Sequence, residues 1–88
     1  MTLWILDRNG RGRRITGAIR VASRTYEIED PLCPGERFKF RLKTTETAFE
    51  DDRLGFLAAR RKLFVAQLEM VRRVITEIDE AIQEARRG

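Results

Sequence analysis

The last third of this sequence carries an apolar stripe that is too long for a small globular domain to cover. Alternating steps of three and four residues from Leu54 to Ala85 meet an apolar side chain everywhere except at Arg61. This spacing predicts one long helix over residues 54–87 with a coiled-coil seam. The seam residues are Leu54, Leu57, Arg61, Phe64, Leu68, Val71, Ile75, Ile78, Ile82 and Ala85.

The length of this helix predicts self-association. A helix of ~32 residues is ~48 Å long, whereas a compact domain of this size has a radius of gyration of only ~12–13 Å. We therefore expect part of the seam to meet a second copy, which makes the protein a homodimer. Residues 53–73 are mostly basic and residues 74–85 are acidic, so antiparallel pairing would bring opposite charges together. Parallel pairing and higher oligomers stay open, because Ile at both kinds of seam position permits trimers and tetramers.

The start of the chain predicts a hairpin with a basic turn. Thr2–Leu6 is apolar on both faces, which is typical of a strand that is central in its sheet or covered on both sides. The pair Asn9-Gly10 favours a tight turn, since both residues tolerate positive φ. Residues 15–22 alternate as a second strand, and a turn or a bulge near Ala22–Arg24 is expected where the alternation slips.

Two further strands are predicted over residues 25–29 and 36–44. The loop between them contains two prolines and a glycine, which cannot continue a strand. In the later strand Phe38, Phe40 and Leu42 share one face, and we expect the long helix to pack on that face.

The predicted fold class is α+β, as a single domain over residues 1–88. Residues 2–44 form an antiparallel meander of three to four strands, and residues 45–53 lead into the helix, with Thr47 and Glu50 as a capping box. Residues 54–87 form the helix, which packs on the sheet and dimerises.

The charge distribution indicates an anionic partner. The net charge is +4 and the calculated pI is about 10.0, which favours nucleic acid or an acidic protein surface. Eight of the ten basic residues in residues 1–45 fall into two clusters, one in the hairpin turn and one on the polar face of the later strand. The candidate binding residues are Arg8, Arg11, Arg13 and Arg14 in the turn, with Arg37, Lys39, Arg41 and Lys43 on the strand.

The leading functional hypothesis is binding of nucleic acid or a nucleoprotein complex, since a two-stranded ribbon with cations can enter a groove or follow a phosphate backbone. The alternative is an inhibitor or adaptor that docks an acidic protein surface, by analogy with small accessory proteins of phages and mobile elements. A plainer interpretation is that the strand cations only keep an edge strand from pairing. Trp4 and Tyr26 could stack on bases or pack in the core.

The sequence gives little support for a catalytic site or for a bound metal or cofactor. The chain has no histidine, which removes the commonest general base and metal ligand. The lone Cys33 has no histidine to activate it, and the acidic helix face of Glu77, Glu80 and Glu84 lacks the histidine of carboxylate-bridged metal sites. The glycines from Gly10 onward match neither the dinucleotide fingerprint nor a P-loop. The protein is therefore predicted to be no enzyme and to need no cofactor.

The expected location is the cytoplasm, without membrane contact. A single cysteine fits a reducing compartment. The N-terminus lacks the pattern of a signal peptide, and no apolar run approaches the ~18 residues that span a bilayer. A helix lying on a membrane surface is disfavoured, because acidic residues interrupt its polar face.

Overall fold

Six strands and one helix make up the fold in a computed structural model that describes residues 1–88. The α+β class is confirmed, but the strands form two antiparallel three-stranded sheets instead of one meander of three or four strands. The elements are β1 (Leu3–Asp7), β2 (Gly12–Ile15), β3 (Ile19–Ala22), β4 (Thr25–Glu29), β5 (Arg37–Arg41), β6 (Glu46–Glu50) and α1 (Arg53–Arg87).

The first sheet has the strand order β2-β1-β6, so β1 is central as its two apolar faces predicted. The prediction that residues 45–53 lead into the helix is wrong for most of this range. Residues 46–50 form β6, which pairs with β1 so that Leu3 lies opposite Glu50 and Asp7 lies opposite Glu46. The capping box is wrong for the same reason. The helix instead begins after Asp52, whose carboxylate accepts a hydrogen bond from the Gly55 N–H at 2.8 Å.

The second sheet has the order β3-β4-β5. The single strand predicted over residues 15–22 is wrong, because the chain changes sheets at Gly17, which has a φ of 72°. Ala18 and Met1 exchange hydrogen bonds of 3.0 and 2.9 Å across this change. The predicted turn or bulge near Ala22–Arg24 is confirmed, because the β3–β4 register shifts after Arg20 and Arg24 has a φ of 61° in the turn between these strands.

The core lies between the two sheets. It consists of Leu3, Ile5, Ala18, Tyr26 and Leu42, with Phe40 stacked on Tyr26 at 5.8 Å between ring centroids. The prediction that Phe38, Phe40 and Leu42 support the helix is therefore wrong. Alternation identifies an apolar face, but it does not identify the element that covers that face.

The helix packs on the opposite face of the first sheet, against β1 and β6. The Phe56 ring contacts Trp4 of β1 and Phe49 of β6, at centroid distances of 5.5 and 6.2 Å. Gly10 and Gly12 let the β1–β2 hairpin approach the helix closely, because a Cβ at either position would collide with a phenylalanine ring of α1. The molecule thus has three layers, with β1 covered on both faces.

Beyond this contact the helix extends away from the sheets. Every residue from Phe64 to Gly88 is exposed, and the chain measures 71 × 24 × 21 Å with a radius of gyration of 20.3 Å. The expected dimer stays a prediction, but the apolar stripe that motivated it is uncovered. No helix combines the length and the apolar composition that crossing a membrane needs.

The close approach at Gly12 predicts a destabilised variant. Gly12→Ala would bring its methyl group into steric overlap with the edge of the Phe56 ring, and we expect a loss of roughly 1–3 kcal/mol in the free energy of unfolding, as in overpacked cores. Urea denaturation checks this value. The double variant Gly12→Ala/Phe56→Leu should lose less free energy of unfolding than the sum of the losses in the two single variants. Losses that add fully would contradict a contact between residue 12 and the Phe56 ring.

The buried tyrosine predicts a loss of stability at high pH. Burial and a 2.8 Å hydrogen bond from the Tyr26 hydroxyl to Glu50 Oε1 raise the pKa of Tyr26 above its usual value. The stability from the neutral phenol is therefore complete below the unfolded pKa of ~10 and disappears as pH rises through the higher folded pKa.

Tyr26→Phe tests this dependence. We expect the variant to be about 1 kcal/mol less stable than the wild type near pH 8, from the lost hydrogen bond. The difference should shrink or reverse at pH 11, as measured by urea denaturation at both pH values. A difference that stays the same at pH 11 would show that Tyr26 does not couple proton loss to unfolding.

Candidate basic binding surface

The eight predicted binding residues are all exposed, and they lie on different sheets. The first cluster belongs to the β1–β2 hairpin of the first sheet, and the second follows β5 at the edge of the second sheet. The hairpin turn is held by Asp7, whose carboxylate accepts hydrogen bonds from the N–H groups of Asn9 and Arg11 at 2.9 Å. Only Gly10 in this turn has a positive φ, of 86°.

Two grooves bring members of the separate clusters together. Arg14 and Arg37 line a groove of about 610 Å³ formed by the end of β2 and the β4–β5 connection. Arg11, Arg13 and Lys43 line a second groove of about 300 Å³. The fold therefore joins cations that stand far apart in the sequence, whereas Lys39 and Arg41 line neither groove.

Acidic side chains offset part of this positive charge. Arg13 contacts Glu46 at 3.2 Å and Arg37 contacts Glu27 at 2.9 Å. Lys39 lies opposite Glu27 in the sheet register, so Glu27 also reduces the positive potential around the middle of β5. Acidic neighbours therefore reduce the positive potential at both clusters, through Glu46 at the hairpin and through Glu27 at β5.

Two arginines lie against one aromatic ring where the hairpin meets the helix. The guanidinium groups of Arg14 and Arg53 lie 5.5 and 5.6 Å from the centroid of the Trp4 ring, within the range of a cation–π interaction. Trp4 is only partly buried, because Phe56 covers part of it. Trp4 therefore packs against Phe56 and also keeps part of its surface accessible, so features of both alternatives considered for this residue are present.

Two helix arginines complete this surface, and neither was singled out from the sequence. Arg53 contacts Trp4, and Arg60 donates from Nε to the Gly10 carbonyl at 3.0 Å while lying 5.6 Å from the Phe64 ring. A groove of about 240 Å³ joins Arg60 to Arg13 and Arg14. The available signal was the spacing of seven residues between Arg53 and Arg60, which places both on one helix face.

We define the hairpin–helix surface as Arg8, Arg11, Arg13, Arg14, Arg53 and Arg60 together with Trp4. Tyr26 lies outside it, because only 4% of this residue is exposed and its ring cannot stack on a base. Cys33 lies in the exposed β4–β5 loop near Asp30 and Glu36. Two backbone hydrogen bonds of this turn, from Cys33 N–H to Asp30 and from Glu36 N–H to Cys33, account for that proximity.

Comparisons with protein-family models, with curated proteins and with solved structures find no match for this chain. Its function is therefore argued from the geometry and charge of its own side chains.

Proposed function

We propose that this protein is a small, non-enzymatic, homodimeric binding protein that engages nucleic acid, alone or in a nucleoprotein complex, through the hairpin–helix surface. The observation that carries the proposal is that the guanidinium groups of Arg14 and Arg53 both lie within 5.6 Å of the Trp4 ring centroid, while Arg13 and Arg60 line the same groove as Trp4. Arg37 and Lys43 extend the surface, because each lines a groove together with arginines of the hairpin.

The chemistry of these side chains suits a phosphate backbone. Arginine presents several N–H donors in a planar fork that matches phosphate oxygens, and it keeps its charge at any physiological pH. A partly exposed indole offers a surface on which an unpaired base can stack without regard to its identity. The expected mode is therefore backbone contact with little base preference.

A protein partner is the second candidate, and the acidic residues of the grooves favour it. Asp7 and Glu46 line the same groove as Arg11 and Arg13. Such a mixed pattern can complement a patterned protein surface, where oppositely charged pairs determine the orientation of docking. In that case the protein is an inhibitor or adaptor that binds an acidic region of its partner.

Charge reversal at the hairpin tests the nucleic-acid proposal. Arg11→Glu/Arg14→Glu should weaken binding to generic duplex and single-stranded oligonucleotides by at least about tenfold, because two phosphate contacts become repulsive. Fluorescence anisotropy at several salt concentrations measures the affinity. The slope of log affinity against log salt should fall by about one for each lost contact.

The matched control for the single variant Arg14→Glu is Arg73→Glu, which makes the same charge change about 20 Å along the helix from Arg60. It should leave the affinity within about twofold, because phosphate contacts act over distances of about a Debye length. Equal losses in both variants would indicate attraction by net charge alone and would contradict a site at the hairpin.

Charge reversal on β5 separates the two clusters. Lys39→Glu/Arg41→Glu should also reduce the affinity if both clusters contact one ligand, and circular dichroism should show an intact fold, because both side chains are exposed. Unchanged affinity would confine the site to the hairpin–helix surface. No binding by the wild type, even at low salt, would contradict the proposal and favour the protein partner, to be sought by pull-down.

A further inference from the structure

The uncovered part of α1 carries its apolar stripe along one face only. Val71, Ile75 and Ile78 are each exposed over 52–53% of their surface, although the sheets bury Phe56 of the same helix almost completely. A stripe of this width and period is typical of a seam between two helices.

We propose that two copies pair antiparallel through this segment, with Ile75 level with the partner's Ile78. This inference rests on the homodimer of the proposed function, and it adds the direction and the register. Val71 then lies level with the partner's Ile82, and Leu68 lies level with the partner's Ala85. By symmetry the same three residue pairs repeat on the other side of the dimer axis.

Charge complementarity selects this register. Arg72 follows Val71 and Asp79 follows Ile78, so both occupy the same flanking position of the seam. In an antiparallel pair these flanking positions face their equivalents on the partner. Arg72 lies about 3 Å along the axis from the partner's Asp79, which forms two symmetry-related ion pairs at the edges of the seam.

Neighbouring registers are less favourable. A shift by one heptad toward the sheets places Arg72 beside the partner's Arg72, where like charges repel. A shift by two heptads places Arg61 in the seam against the partner's Ile78, which would bury an unpaired charge. In parallel pairing in register, Arg72 faces the partner's Gln67 and Asp79 faces the partner's Val74. Neither charged side chain then lies beside an opposite charge.

The proposed register also leaves the hairpin–helix surface open. The partner's Gly88 lies level with Val65, so the paired segment ends before Arg60 and Arg53. The two binding surfaces then lie at opposite ends of the dimer, about 50 Å apart along the helix axis at 1.5 Å per residue. A single long nucleic acid could contact both.

A distance measurement tests direction and register together. A nitroxide label at Gly88→Cys, in a Cys33→Ser background, should give an electron–electron distance of about 35–40 Å by pulsed electron paramagnetic resonance. Parallel pairing would give less than about 20 Å. The two shifted antiparallel registers would give about 45–50 and 55–60 Å, and any of these three values would overturn the proposal.

Charge exchange provides an independent test. Arg72→Asp and Asp79→Arg should each weaken self-association roughly fivefold, because both ion pairs become repulsive. The double variant should recover most of the wild-type affinity. Failure of recovery would contradict this register, whereas loss of oligonucleotide binding with an unchanged distance would contradict only the nucleic-acid proposal. The absence of any distance, in a monomeric protein, would overturn the pairing itself.

Discussion

The architecture depends on a mismatch of length between one helix and the sheets on which it packs. The helix has 35 residues and is therefore about 52 Å long, but only its first three turns meet the first sheet. Phe56 anchors that contact between Trp4 and Phe49. The remaining turns keep their apolar stripe in solvent, which a stable protein of this size is expected to cover with a second helix.

The same anchor positions the basic surface. Since β1 is covered by the second sheet on one face and by α1 on the other, the β1–β2 hairpin is held beside the first turns of the helix. Gly10 and Gly12 permit the close approach, and Arg60 fastens the turn through the Gly10 carbonyl. Arg14 of the hairpin and Arg53 of the helix consequently meet at the Trp4 ring, although 39 residues separate them in the sequence.

Local sequence patterns predicted most of the secondary-structure elements, but they did not predict which elements pack against each other. The helix, the hairpin turn, the bulge and the central position of β1 each have a local cause, such as heptad spacing or glycine at positive φ. The chain's change of sheet at Gly17 and the strand β6 were missed, because Thr47 and Glu50 resemble a helix cap and the alternation of residues 15–22 continues across two sheets. The eight candidate cations are all exposed, and their role in binding stays a prediction. The contribution of Arg53 and Arg60 to the basic surface depends on where the helix packs on the first sheet, and no local sequence pattern predicts that position.

The central claim is that a second copy covers the apolar stripe beyond Phe64. Sedimentation equilibrium at tens of micromolar tests it most directly, with Ile75→Asp as a variant that places a charge at the seam and leaves the sheets untouched. The account predicts twice the chain mass of 10.3 kDa for the wild type and a monomer for the variant with the same far-ultraviolet circular dichroism per residue. A wild-type monomer at these concentrations would contradict it.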